Sequence, residues 1–92
     1  MRFCFTFRPR FSSAVKAAFL DRDGVINVDY AYVHSRENFH FIPGALEGAA
    51  ELVRKGHQLI IVTNQSGIGR GKYSIDQFRE LTFWLAGVFA RN

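Results

Sequence analysis

FLDRDGVIN, Phe19 to Asn27, runs from an apolar segment into two aspartates separated by one arginine, with a glycine directly behind them. Ala17 to Leu20 is a short apolar run stopped by polar residues, which predicts a buried strand. Asp21 then stands at the C-terminal end of that strand, and Asp23 lies in a turn released by Gly24. Both carboxylates can face one pocket if the turn brings them round. Two carboxylates in one place repel and need compensation. Mg²⁺ can supply it, because it takes one or two protein carboxylates and fills its other positions with water and phosphate oxygens. One carboxylate of such a pair can attack an electrophile while the other donates and then accepts a proton. Phosphorus suits this arrangement, since phosphoryl transfer asks mostly for positioning and charge neutralisation. A lone D-x-D is otherwise common in turns, where Asp bonds nearby backbone N–H groups, so the pair needs support from elsewhere in the chain.

Working outward, residues 21 to 42 form a long irregular stretch carrying Tyr30, Tyr32, Phe39 and Phe41, a length that in a compact domain points to function. Pro43-Gly44 predicts a helix start with Pro at the first helical position. Ala45, Leu46, Ala49, Leu52 and Val53 recur at helical spacing, and Gly56 is the expected stop. Leu59 to Val62 is β-branched and apolar on both faces, which predicts a parallel strand covered by helices. Thr63 to Tyr73 is a glycine-rich loop. Ser74 and Gln77 fit a capping box ahead of a second helix, with Ile75, Phe78, Leu81, Leu85, Val88 and Phe89 as its buried face and Trp84 nearby. This order places both strand C-termini at one edge, where ligands bind in open α/β sheets.

The second strand ends in Thr63-Asn64-Gln65-Ser66-Gly67-Ile68-Gly69-Arg70-Gly71-Lys72. A hydroxyl, free N–H groups and two cations make an anion cradle. The loop fits neither the dinucleotide fingerprint nor the P-loop spacing. His34, His40 and His57 are scattered and read as surface or packing residues. The joint placement of D-R-D-G and T-N-Q-S-G-I at consecutive strand ends raises the functional reading above a purely structural one.

The formal charge of +4 comes from the first sixteen residues: beyond Lys16 eight basic residues face eight acidic ones. The body is neutral, which argues against a nucleic-acid partner. No apolar run approaches the roughly 18 residues of a membrane helix. The single Cys4 rules out an internal disulfide and suits a reducing compartment, so the expected location is cytoplasmic. Residues 1–15 are rich in Arg, Phe and Ser. The first expectation for them is a disordered basic leader, the second a targeting peptide, and the third a short strand from the alternating Phe3, Phe5 and Phe7, ended by Pro9.

FLDRDGVIN resembles the first motif of the haloacid dehalogenase superfamily of phosphohydrolases, and VTNQSGIGRGKY resembles its second. VDYAYVHSRENFHFIPGA is similar to the segment between these motifs in the subgroup of heptose 1,7-bisphosphate and histidinol-phosphate phosphatases. The resemblance covers residues 16–92. It implies a Rossmann-like parallel sheet with flanking helices and a small-molecule sugar phosphate as substrate. It implies Asp21 as a nucleophile forming an aspartyl-phosphate and Asp23 as general acid, then base. Asp21 and the backbone carbonyl of Asp23 would bind Mg²⁺. Thr63, with Asn64, would hold the phosphoryl group. Asp29, Tyr30, Ala31 and Tyr32 would contact substrate, with Ala31 standing where glycine is expected. Gln65, Ser66 and Arg70 would line the same pocket.

Family members run on further, to a zinc loop, a lysine that braces the nucleophile and a late aspartate. None of these is found here, and Lys72 is not an evident substitute. The expectation is therefore a truncated α/β fold, impaired in hydrolysis. The alternatives are a non-catalytic module that binds a phosphometabolite or depends on a partner, and an interaction domain built on the leader.

Overall fold

The structure, a computed structural model, describes residues 1–7 and 16–91. Its sheet has three strands in the order β1-β3-β2, formed by Arg2–Phe7 (β1), Lys16–Asp21 (β2) and His57–Asn64 (β3). β2 and β3 pair in parallel, from Lys16 opposite His57 to Asp21 opposite Val62. Helix α1 (Ala45–Arg54) precedes β3 and lies against it. α2 (Ser66–Gly69) and α3 (Ile75–Arg91) follow. The molecule is thus mixed α/β, with helices flanking a small sheet.

The alternation along β3 shows where the core sits. Leu59, Ile61 and Thr63 are buried, whereas Ile60 and Val62 are half-buried. Ile61 is opposite Phe5 on one side and Leu20 on the other, so the three make one row across the sheet. Leu81 and Leu85 of α3 complete this cluster together with Ile26, Val33 and Phe39 from the long segment between β2 and α1. Phe39 also meets Trp84 edge to face at 5.5 Å. The apolar stripe on α3 is therefore the core face that its periodicity suggests, and Ser74 and Gln77 cap it reciprocally (N–H to Oε1 2.8 Å, N–H to Oγ 3.1 Å).

Several expectations are corrected. Arg2–Phe7 is a strand, antiparallel to β3, and not a disordered leader. Its period of two puts Phe3 and Phe5 opposite Thr63 and Ile61, and the Phe3 ring stacks on Phe78 at 4.3 Å. The sheet is consequently mixed rather than all-parallel. The rest of the leader, including the Pro9 break, lies outside the described residues. Pro43 is not the first helical residue. Gly44, at φ 85°, caps α1, and helical structure begins at Ala45. The segment after Asp21 is also less irregular than expected: Asn27 bridges Phe41 in antiparallel fashion, and Val28 N–H donates to His40 O at 2.7 Å. Gly56, at φ 88°, ends α1 as expected.

Ile61→Ala should destabilise the fold by about 2–5 kcal/mol, because Ile61 is completely buried. Phe83→Ala, at a side chain 79% exposed, should stay within about 0.5 kcal/mol. Urea denaturation followed by Trp84 fluorescence checks both.

Candidate active site

The parallel register delivers Asp21 to the sheet edge beside Val62, one residue before Thr63. The chain then turns sharply. Arg22 O accepts from the N–H groups of Val25, Ile26 and Asn27 (3.2, 2.8 and 3.2 Å), and Gly24 N–H donates to Asn27 O at 2.8 Å. Gly24 has φ 88°, a conformation open to glycine at little cost. This turn folds Asp23 back over the end of the sheet.

Asp23 meets the second motif there through one amide. Gln65 Nε2 donates to Thr63 Oγ1 at 2.7 Å and to Asp23 Oδ2 at 3.3 Å. The amide's orientation is set on its other side, where the Tyr73 hydroxyl donates to Gln65 Oε1. Thr63 Oγ1 accepts from Gln65, which leaves its own O–H able to donate. Gln65 is itself held by its backbone N–H, which donates to Met1 O at 2.6 Å, so β1 helps fix the site. Burial raises the Tyr73 phenol above its ordinary range; nearby Arg22 opposes this and Asp23 adds to it.

The other oxygen of Asp23 is held separately. Arg22 Nη2 and Asn27 Nδ2 donate to Oδ1 at 2.8 and 3.0 Å. Arg22 is only 2% exposed and Asn27 fully buried. A second proton on Arg22 Nη2 reaches Val33 O at 2.8 Å, and the guanidinium lies 5.7 Å from the Phe39 ring centroid. Asp21, by contrast, is exposed and takes no hydrogen bond or ion pair among the described residues.

A second group surrounds Tyr32. Ala31 and Tyr32 have φ 61° and 58°, and the Asp29 carboxylate accepts from Ala31 N–H at 3.0 Å, closing the turn. Left-handed backbone explains why glycine is expected at Ala31, since each such non-glycine residue costs about 1–2 kcal/mol. Arg70 Nη1 donates to the Tyr32 hydroxyl at 3.2 Å, and Lys72 Nζ lies 5.8 Å from the ring. The two groups touch at Gly67: a Cβ there would collide with Tyr73 Cε1 and stand 2.8 Å from Tyr32 Cδ1.

The structure therefore joins Asp23, Thr63 and Gln65 directly, and Tyr32 with Arg70. It sets Asp21 at the adjacent strand end. Asn64 and Ser66 are exposed, and Tyr30 is exposed with its ring edge-on to His40 at 5.4 Å; among the described residues no side-chain hydrogen bond ties these three to the Asp23–Thr63 pair. Ser66 opens α2, a short helix where the sequence suggests only loop. Arg22, Asn27 and Tyr73 are the residues that sequence reasoning missed. An arginine set between two aspartates, where it can pair with one of them, was the available signal for Arg22. His34 is a packing residue, stacked on Tyr73 at 4.9 Å with Nδ1 2.7 Å from Tyr32 O.

No helix among the described residues is long and apolar enough to cross a membrane. No protein-family model matches the chain. Curated relatives do. The chain is 56% identical over 79 residues to a protein of Vibrio cholerae, covering 86% of this chain and 42% of the relative. It is 56% identical over 70 residues to one of Haemophilus influenzae, and 53% identical over 74 residues to one of Escherichia coli K12. These cover 76% and 80% of this chain, and 38% and 39% of the relatives. Each is named D-glycero-beta-D-manno-heptose-1,7-bisphosphate 7-phosphatase. The resemblance is therefore to phosphatases, over most of this chain, which spans about two fifths of the relatives' length.

Gly67→Ala should cost about 1–3 kcal/mol by forcing Tyr73 and Tyr32 apart, measured as a lower denaturation midpoint. The raised Tyr73 phenol favours the neutral form in the folded chain. Its contribution to stability is complete below the ordinary phenol range and is lost as pH climbs through the raised value. Tyr73→Phe should flatten this alkaline decline in stability-versus-pH curves.

Proposed function

We propose that the chain carries the catalytic aspartates of a Mg²⁺-dependent phosphatase of the haloacid dehalogenase type. In this reading the sheet is the edge of a Rossmann-like fold, the substrate is a sugar phosphate of the heptose 1,7-bisphosphate kind, and the location is cytoplasmic. The names of the relatives support the substrate class. The observation that carries the reading is the shared amide: Asp23 and Thr63, from two strand ends, bond one Gln65 Nε2 beside the exposed Asp21.

The chemistry follows from what each group has free. Asp21 has an unencumbered carboxylate, so one of its oxygens attacks phosphorus and the ester bond to the sugar breaks. Asp23 gives a proton through Oδ2 to the departing sugar oxygen. It then takes a proton from a water that attacks the aspartyl-phosphate, releasing inorganic phosphate and restoring Asp21. The Thr63 O–H donates to a phosphoryl oxygen, and the Asn64 side chain with the backbone N–H groups of Ser66 and Gly67 does the same. Arg70, Tyr32 and the 29–31 turn contact the remainder of the substrate.

The donor set suits Mg²⁺. Among the described residues nothing bonds the Asp21 carboxylate, and a hard cation that keeps most of its waters needs few protein oxygens. Asp21's carboxylate and Asp23's backbone carbonyl would hold it, since Asp23's side chain is already engaged. When bound, it supplies positive charge against the phosphoryl oxygens.

The test is phosphate release from heptose 1,7-bisphosphate with Mg²⁺. Asp21→Asn should reduce it to the uncatalysed background, and Asp23→Asn should reduce it by roughly 10²–10⁴-fold. Turnover that survives Asp21→Asn contradicts the reading. Phosphate binding without turnover favours a non-catalytic phosphometabolite-binding module instead.

A further inference from the structure

We propose that Arg22 is a positioning residue, a strut that couples the proton-handling carboxylate of Asp23 to the substrate-contacting segment at Val33. This rests on the reading of Asp23 as the proton carrier. One nitrogen, Nη2, donates 2.8 Å to Asp23 Oδ1 and 2.8 Å to Val33 O, so the two acceptors cannot shift independently. Nε adds a longer bond of 3.3 Å to the same Oδ1. The side chain is 2% exposed and is capped by the Phe39 ring, which belongs to the core. A buried guanidinium is held in one geometry by such contacts and does not wander as a surface arginine does.

The consequence is a division between the two oxygens of Asp23. Arg22 and Asn27 both occupy Oδ1. Oδ2 is left with the single 3.3 Å bond from Gln65, on the side where Thr63 stands. Oδ2 is therefore the oxygen free to carry the proton, and Arg22 fixes which way it points. The other end of the strut is Val33, one residue beyond the left-handed Ala31–Tyr32 pair. A substrate that seats the 29–32 turn thereby also seats Asp23.

Arg22→Met tests this, since an apolar side chain of similar length fills the buried space and removes all three bonds. Two esters are compared, heptose 1,7-bisphosphate and 4-nitrophenyl phosphate, whose leaving group departs without a proton. In a single turnover, misaimed Asp23 should slow release of the sugar leaving group by roughly 10²-fold and release of 4-nitrophenolate little, whereas water attack on the aspartyl-phosphate, common to both esters, should slow alike. Equal slowing of leaving-group release from both overturns the strut. Arg22→Lys keeps the charge but is one atom shorter and lacks the Nε donor, so the difference between the esters should persist; full recovery by lysine overturns it. Amide hydrogen exchange supplies a readout independent of turnover. In Arg22→Met, residues 23–27 and 31–34 should exchange faster together while the β2–β3 ladder is unchanged; unaltered protection at 31–34 overturns the coupling. Should the unsubstituted chain hydrolyse neither ester, the functional reading falls, and the exchange result alone decides the strut.

Discussion

The site depends on a parallel register. Pairing Asp21 with Val62 fixes how far β2 and β3 extend past one another. That offset allows the turn after β2 and the loop after β3 to share one amide, with Gln65 Nε2 reaching both Asp23 and Thr63. A slip of one residue would send Leu20 and Ile61 to the opposite face and expose the central row of the core. Burial of Ile61 against Phe5, Leu20 and the α3 leucines therefore fixes the chemistry as well as the fold. Apolar packing sets the register, and the register sets the distances between polar groups.

Charge is handled by separation. The two aspartates stand one residue apart, yet their environments differ. Asp23 is surrounded by donors from Arg22, Asn27 and Gln65, while Asp21 faces solvent with no side-chain donor among the described residues. Burying Arg22 costs desolvation, and an ion pair offsets that only with good geometry and further hydrogen bonds. Val33 O and the Phe39 ring supply those additional contacts. The long segment between β2 and α1 thus serves the core through Val33 and Phe39, and the site through the same stretch of chain.

Much of this was legible in the sequence because periodicity and position carry it. LIIV and the α3 stripe follow from apolar spacing, and the Ser74–Gln77 cap from local hydrogen-bonding chemistry. The strand at Arg2–Phe7 was visible as alternation, but composition and Pro9 pointed the other way; pairing with β3 is a long-range gain that no local window contains. Arg22 was read as a spacer because burial of an arginine depends on acceptors far along the chain, here Val33 O. Tyr73 was read only as the end of the glycine-rich loop, yet its hydroxyl sets the orientation of the Gln65 amide. Pro43 was assigned two positions too far in, because a left-handed Gly44 could take the capping role without a side chain.

The central claim is that two strand ends gather round a single phosphoryl group. A crystal structure of the chain with Mg²⁺ and vanadate, a mimic of transferring phosphate, tests it most directly. The vanadium should sit against the Asp21 carboxylate, with one of its oxygens accepting from Thr63 Oγ1 and Asp23 Oδ2 on the side of the leaving oxygen. Vanadate bound only by Arg70 and Lys72, or Thr63 turned away from the Asp21–Asp23 corner, would contradict it.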